Sequence, residues 1–560
     1  MKTRSFVSIL VAIFLVLLLI GGVGAYWLAA NHPNRALQAE RTSHATQFVS
    51  RQSPLVVSLL VNPDRLAASG LAKTPPGQRQ QWLGQWRQFR QTLLEQTGLN
   101  YRRDIQPWLG NELTFAVTTT DFDRDLSNGR QTGYLIAAAI HRPEQAERSI
   151  QAFWQRQATT GADLVFEPYA GVTLIHANDG TTTTPDSEQS LTTAMIGDQF
   201  VLFANSPKVL RDAINNLQVP ELSLGNSESY QQAIDRLTNP RIGMVYVHFP
   251  QLASWLEDTT ISDPTIANLS PTFDSLVMDV QLTSQGLLAD ALLLTAPGQT
   301  IEVSRPQLSE PVPALQYIPA TSPLVVAGKN LAQLWQQLDT GLAGSLQTQF
   351  RKPLQTLAQR WQVQPEEIFA LVPGEYALSW LNQDAESLDW VIVTERSDAT
   401  IASLAHLDDL AQNRGDSVST FTIADQPVTA WTKLSTISVN SGRSSRSSVK
   451  LEAEVEGVHT TVGNYEVIAT SLDAMTQAID PSQPTMLSAG AFQQAIAPLP
   501  TPNSGYLYLD KTVVKHLERS TNLRSILKPL RPFLEPVQSV TISGYGGSRD
   551  ALHSIVFLKL

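Results

Sequence analysis

The tightest constraint on this chain is that it is written twice. SPLVV at 53–57 returns at 322–326, an offset of 269 (322 − 53), and YQQAI at 230–234 returns as FQQAI at 492–496, an offset of 262 (492 − 230). Between these anchors the order of features is kept. GNELTFAV (110–117) matches PGEYALSW (373–380), each a glycine turn leading into an apolar strand. TGYLIAAAIHRPEQAERSIQAF (132–153) matches LDWVIVTERSDATIASLAHL (388–407), each a strand followed by a helix. IGDQFVLFANSPKVLRDAI (196–214) matches VGNYEVIATSLDAMTQAI (462–479), and IGMVYVHF (242–249) matches SGYLYLDK (504–511). One such pair is chance; a colinear series at nearly one offset is a repeat.

The residues inside the repeat are fold-making. Gly197-Asp198 and Gly463-Asn464 separate short apolar runs, the pair a type II′ hairpin favours, with glycine taking the positive φ. Ser206 is placed as an N-cap with Pro207 at the first helical position, ahead of Val209, Leu210, Ala213, Ile214 and Leu217 at helical spacing. Trp82, Trp86, Phe89 and Leu93 make an apolar helical stripe, answered by Leu346, Phe350, Leu354, Leu357 and Trp361. Both copies carry the stripe but not the same aromatics, so it reads as a sheet-covering face rather than a ligand box. Two polar stretches, Asn178–Ser190 and Ser438–Ser448, interrupt equivalent strand pairs and read as tolerated loops. Pro297–Pro319 is proline-rich and reads as an extended linker.

Lys2 and Arg4 precede an uncharged run, Phe6–Leu28, that would rise roughly 34 Å as a helix, enough for a hydrocarbon core of about 30 Å. Tyr26 and Trp27 close it with interfacial aromatics. Val23-Gly24-Ala25 offers a cleavage pattern, but the run is long for a signal peptide, and an uncleaved signal anchor is expected. The amino terminus is expected inside the cell and the body outside. The remainder, in a chain that is 42% apolar and 16% charged, has a folding protein's composition. A formal charge of −11 argues against nucleic acid as a partner. The absence of cysteine removes disulfides, thiol catalysis and cysteine-ligated metals.

The basic-flanked anchor, SPLVVSLLVNPDRL (53–66) and GDQFVLFANSPKVLRDAI (197–214) together resemble a family of cyanobacterial membrane-anchored proteins catalogued only as a domain of unknown function. The resemblance extends over nearly the whole chain. It implies an envelope or thylakoid setting and carries over no active-site residues.

A search for chemistry returns little. The nine histidines (His32, His44, His141, His176, His248, His406, His459, His516, His553) form no zinc spacing, and the two copies do not keep histidine at matched positions. Asp121, Asp123 and Asp125 resemble the opening of a calcium loop, but Leu126 stands where the turn needs glycine and Thr132 where the last ligand should be glutamate. Ser447 and Lys450 satisfy S-x-x-K without the motifs that accompany it in penicillin-binding enzymes. Asp408-Asp409 and Glu366-Glu367 are neighbours on helices and so do not share a face as an acid/base pair would. No catalytic or metal residue and no cofactor is assigned; cofactor-binding residues stay open.

The expected fold is α+β: a transmembrane helix at 6–28 after a cytoplasmic 1–5, then two tandem homologous repeats at 46–300 and 315–560 joined by a linker at 301–314. Each repeat is expected to be a mostly antiparallel sheet with packed helices rather than a doubly wound parallel sheet. The expected function is a non-enzymatic, membrane-anchored interaction or assembly module on the periplasmic or thylakoid-lumen side, with an unidentified protein partner. The alternative is a carrier holding a lipid, pigment or other apolar ligand between sheet and helices; a hydrolase built from distant loops ranks third.

Overall fold

The structure is a computed structural model of the 560-residue chain; it describes residues 42–65, 99–125, 129–178, 191–237, 241–257, 272–283, 285–301, 306–335, 355–381, 389–439, 448–513 and 537–560. The run 6–28, the stripe at 82–93, residues 346, 350 and 354, and nearly all of both polar loops lie outside the described residues. The chain divides into two compact units, one within Met1–Val303, Lys515–Gln538 and Gly547–Leu560, the other within Ser304–Val514 and Ser539–Gly546.

In the first unit the repeated SPLVV segment supplies the middle strand, β1 (Leu55–Leu59), buried at every position as a short continuous apolar run should be. It lies between β2 (Leu109–Thr119) and the strand Gly243–His248, with Val57 opposite both Phe115 and Val245. Beyond β2 come β3 (Gly133–Ile140), then Phe200–Ala204, Thr192–Ile196, Val172–Ala177 and finally Leu164–Tyr169. In chain order these last four are β7, β6, β5 and β4, and Gly243–His248 is β8. On the other side β8 is followed by β9 (Phe273–Leu282) and β10 (Gly286–Thr295). One face is covered by α1 (Pro143–Thr159), whose Ile150, Phe153 and Trp154 are buried. Three further helices are α2 (Pro207–Gln218), α3 (Glu228–Arg236) and α4 (Phe249–Glu257), which packs buried Trp255 with Val57, Phe115 and Val245.

The second unit repeats the order around β11 (Leu324–Gly328), which lies between β12 (Tyr376–Trp380) and β18 (Gly505–Asp510). Beyond β12 come β13 (Trp390–Glu395), β17 (Tyr465–Ala469), β16 (Ser448–Val462), β15 (Gln426–Val439) and β14 (Ser417–Ile423). Beyond β18 comes β19 (Ser539–Ser548). Its helices are α5 (Pro365–Ala370), α6 (Asp398–Asn413), α7 (Leu472–Ile479) and α8 (Gly490–Ile496).

Two parts of the expected fold are corrected. The α+β arrangement of two repeats, each with a sheet of its own, gives way to a single large antiparallel sheet in which hydrogen bonds join all twenty described strands, accompanied by helices. The chain's last strand, β20 (Ala551–Lys559), pairs with β10 from Gly286↔Lys559 to Leu294↔Ala551. The physical reason is edge satisfaction: a ten-residue apolar strand such as GLLADALLLT cannot leave its backbone donors and acceptors unmet. The expected transmembrane helix at 6–28 lies outside the described residues; among those residues no helix is long and apolar enough to cross a membrane. The proline-rich stretch at 297–319 also differs from an extended linker. Pro313–Tyr317 forms a 3₁₀ turn there, with Ala314 and Leu315 buried.

The local chemistry follows the residues closely. Ser206 caps α2 by accepting from the Lys208 amide, and Ser471 caps α7 by accepting from the Ala474 amide. Ser206→Ala is expected to cost about 1 kcal/mol in chemical denaturation. Gly463-Asn464 is a two-residue hairpin between paired Val462 and Tyr465, with positive φ (59°) at the glycine, as type II′ requires. Gly197 has φ 52°, but Ile196 pairs with Phe200, so Gln199 lengthens that loop to three residues.

Candidate functional site

The feature of the second unit that stands apart is its terminal strand. β14 reads SVSTFTI, without a charge or a proline, and every residue in it is exposed or half-exposed. Among the described residues it pairs only with β15, from Ser417↔Thr432 to Ile423↔Gln426. Its other backbone edge therefore meets no strand among the described residues. β15 runs on to Val439 while its pairing with β14 stops at Thr432, so the outer edge of 433–439 continues the open line. Phe421 on β14 and Leu434 on β15 are both exposed. The terminal strand of the first unit is built differently: β4 reads LVFEPY, in which Pro168 removes a donor and Glu167 is tied to Arg211 at 2.7 Å.

The open edge rests on a rigid support. Trp431 of β15 stacks edge-on against Trp361, ring centres 5.7 Å apart, and both indoles are buried. Gly457, opposite Trp431, makes the room: a Cβ there would sit 2.5 Å from the Trp431 ring. Next to it the register slips between Trp431 and Thr432, a bulge that skips Glu456. Arg360 donates to the Val455 carbonyl at 2.7 Å and Trp361 Nε1 to the Glu456 carbonyl at 3.1 Å, satisfying backbone acceptors that the bulge frees.

Beside it lies an imidazole–carboxylate hydrogen bond. Asp408 of α6 accepts from Trp431 Nε1 at 2.6 Å and lies 3.0 Å from His459 Nε2. Burial pushes the Asp408 carboxyl up, but hydrogen bonds from His459 and Trp431 outweigh it and hold the group below its ordinary range. As chemistry, this is an oriented imidazole lacking a nucleophile: among the described residues His459 makes no hydrogen bond to a hydroxyl. As structure, it fastens α6 to β15 and β16.

The other flagged residues scatter. His176 lies 3.8 Å from Glu167, His248 3.5 Å from Asp274 and His406 3.6 Å from Glu367. His44 and His141 are exposed, His553 is half-buried, and His32 and His516 lie outside the described residues. Asp121 accepts from the Gln131 amide and Asp123 from the Asp125 amide, which makes 121–125 a self-bonded loop; residue 126 is outside the described residues. Burial, reinforced by Asp123, raises the Asp121 carboxyl. Glu367 caps α5 through the Gln364 amide, at 2.9 Å. Ser447 is outside the described residues, as is the Lys450 side chain. No group of three metal-ligating side chains converges among the described residues. A concavity lined by Val57, Leu59, Ile242, Met244 and Val280 holds about 10 Å³, room for one water, where ligand pockets hold roughly 300 Å³ or more.

Sequence reasoning passed over one pair of residues that the structure singles out. Glu112, 2% exposed at the start of β2, accepts from Ser43 Oγ at 2.6 Å, Ala45 N at 2.9 Å, His44 N at 3.0 Å and Thr114 Oγ1 at 3.1 Å. It thereby staples the 3₁₀ turn Ala45–Phe48 to the sheet. Glu375 stands at the matched place before β12 and accepts from Ala314 N at 3.0 Å and Tyr465 Oη at 2.9 Å, holding the turn Pro313–Tyr317. The signal was present: glutamate follows glycine-led turns at both matched positions, GNE and PGE.

No curated protein matches the chain. Among solved structures, "Structure of crystal form I of TP0453" is similar at 8% identity with a TM-score of 0.22, over 46% of this chain and 82% of that one, a likeness too slight to carry an argument. The family described as "Protein of unknown function (DUF3352)" matches residues 10–560, and the chain belongs to that family.

Proposed function

We propose that the protein is a non-enzymatic interaction module that takes up an extended, uncharged segment of another polypeptide along the β14 edge. The observation that carries the reading is the contrast between the two terminal strands: β4 is blocked by Pro168, whereas β14 offers seven uncharged residues with an open backbone edge. A row of free amides and carbonyls is completed by a strand, not by a helix, sugar or nucleic acid, and alternate side chains then select the sequence. The missing charges narrow the partner further, since a charged segment would find no counterion along 417–423. Trp361, Trp431 and Asp408 fit this reading as the rigid support of the edge.

The test places a photo-crosslinking residue at Thr420 in the full chain in its native cells. The expected result is a discrete adduct that maps to an extended segment of a second polypeptide and disappears in the Phe421→Lys variant, because edge lysines block strand addition. No adduct, an adduct within the same chain, or one indifferent to Phe421→Lys would overturn the reading.

We infer, in addition, that the doubled strand order is a duplication within one sheet. Supporting it are the matched neighbours of β1 and β11, the serine caps at 206 and 471, and the carboxylate staples at 112 and 375 with amide partners at Ala45 and Ala314.

A further inference from the structure

The turn between β14 and β15 fixes which backbone groups of β14 face outward. Ala424 and Asp425 have φ of 48° and 62°, and Ile423 pairs with Gln426 across them. Positive φ at both central residues marks a type I′ turn, whose closing pair exchanges both backbone hydrogen bonds. Pairing then alternates along the ladder. Ser417, Ser419, Phe421 and Ile423 point their amides and carbonyls at β15, while Val418, Thr420 and Thr422 point theirs away. The side chains agree. Pro427, which has no amide to give, stands opposite Thr422, and the Thr420 and Thr429 hydroxyls meet at 3.3 Å, as the closer spacing of a non-hydrogen-bonded pair allows. The outward donors and acceptors are therefore spaced evenly about Thr420.

We propose that the segment taken up along this edge is β14 of a second copy of the chain, paired antiparallel about a two-fold axis at Thr420; this rests on the edge reading above and names its partner. In that register Thr420 faces Thr420 of the partner subunit, and Val418 faces Thr422 of the partner subunit, with the converse pair on the other side of the axis. Each pair exchanges two hydrogen bonds, about six in all, so every outward amide and carbonyl of both strands is met. A register two residues off would leave either Val418 or Thr422 facing a residue outside the strand.

The side chains suit the same axis. Ser419 lies opposite Phe421 of the partner subunit, so each ring stands beside a small residue and meets the other ring on the diagonal, within aromatic reach. That contact covers Phe421, which is 37% exposed on a terminal strand. Self-pairing would bring any charge near its own copy, and an uncharged strand carries no such repulsion. A contact one short strand wide is at the small end of specific interfaces, so the dimer is expected to exchange and is best detected by trapping.

The natural chain has no cysteine, so single cysteines report the register without background. Full-length chains carrying Thr420→Cys, Ser417→Cys or Ile423→Cys are treated in their native cells with a mild copper(II)–phenanthroline oxidant. All three positions are exposed or half-exposed, so the substitutions leave the core intact. Thr420→Cys is expected to form a disulfide dimer, because the Cα atoms of a hydrogen-bonded pair on the axis are about 5.5 Å apart, within disulfide reach. Neither Ser417→Cys nor Ile423→Cys should do so alone, since its two copies would lie about 20 Å apart; co-expressing the two should give the mixed dimer. Adding Phe421→Lys should lower the Thr420→Cys dimer by about tenfold or more. Equal cross-linking at every position would report a parallel or unregistered association and overturn the proposal. Should Thr420→Cys give no dimer while the photo-crosslinker at Thr420 captures a different polypeptide, the second copy is refuted and the edge reading stands. With neither product, both fall.

Discussion

Replacing Glu112 with alanine is expected to cost the first unit about 3–5 kcal/mol, because a 2%-exposed carboxylate is the common acceptor for two hydroxyls and two backbone amides. Alanine leaves the Ser43 hydroxyl and the amides of His44 and Ala45 buried or half-buried without an acceptor, and each orphaned donor costs about 1–3 kcal/mol. Ser43 also receives a hydrogen bond from Ser58 Oγ on β1 at 2.9 Å, so the loss reaches the middle strand. Glu375→Ala should cost less, about 1–2 kcal/mol, since that carboxylate is only half-buried and serves two donors. Urea denaturation of the two variants, with the slope checked for constancy, measures the difference. A Glu112→Ala loss below that of Glu375→Ala would mean that burial does not set the strength of the staple.

The matched segments show how far residues alone reach. SPLVV is a middle strand in both units, GNELTFAV and PGEYALSW open the neighbouring strand, and the segments after them become a strand, a helix and a hairpin in the expected order. These are local signals: apolar runs, glycine turns and serine caps act over a few residues. What the sequence could not convey is which strands meet at a distance. The pairing of β10 with β20 links residues more than 250 apart, and the apolar strand GLLADALLLT is compatible with any antiparallel neighbour of similar length. The same blindness hid the sites. Asp408 and His459 meet only because the fold brings α6 against β15 and β16, and Asp279 opposes Asp290 only through the register of β9 on β10. The open β14 edge escaped notice for another reason: SVSTFTI has the β-branched residues of any strand and lacks the proline and charge that mark the β4 edge.

The support under that edge gives the second large effect. Trp431→Ala should cost about 3–5 kcal/mol, the range for removing a buried aromatic, because the indole packs against Trp361 and is 1% exposed. It also removes a donor to Asp408, whose carboxyl should move up toward its ordinary range. A depressed carboxylate contributes stability that is present above its unfolded pKa and lost as pH falls through its folded one. The variant should therefore lose less than the natural chain between neutral and acid pH. Gly457→Ala attacks the same contact from the other side: its Cβ would lie 2.5 Å and 2.7 Å from two Trp431 ring carbons and 3.1 Å from Trp361 Nε1, so the indoles must shift, at about 1–3 kcal/mol. If steric contact with Trp431 is the reason for the glycine, Gly457→Ala should be nearly neutral in the Trp431→Ala background, where the crowding ring carbons are gone. A double-mutant cycle in urea should then show a coupling of about 1–3 kcal/mol, equal in size to the single Gly457→Ala loss. Strict additivity would mean that Gly457 is required by the Glu456 bulge itself, and that the indole fills space the backbone had already left.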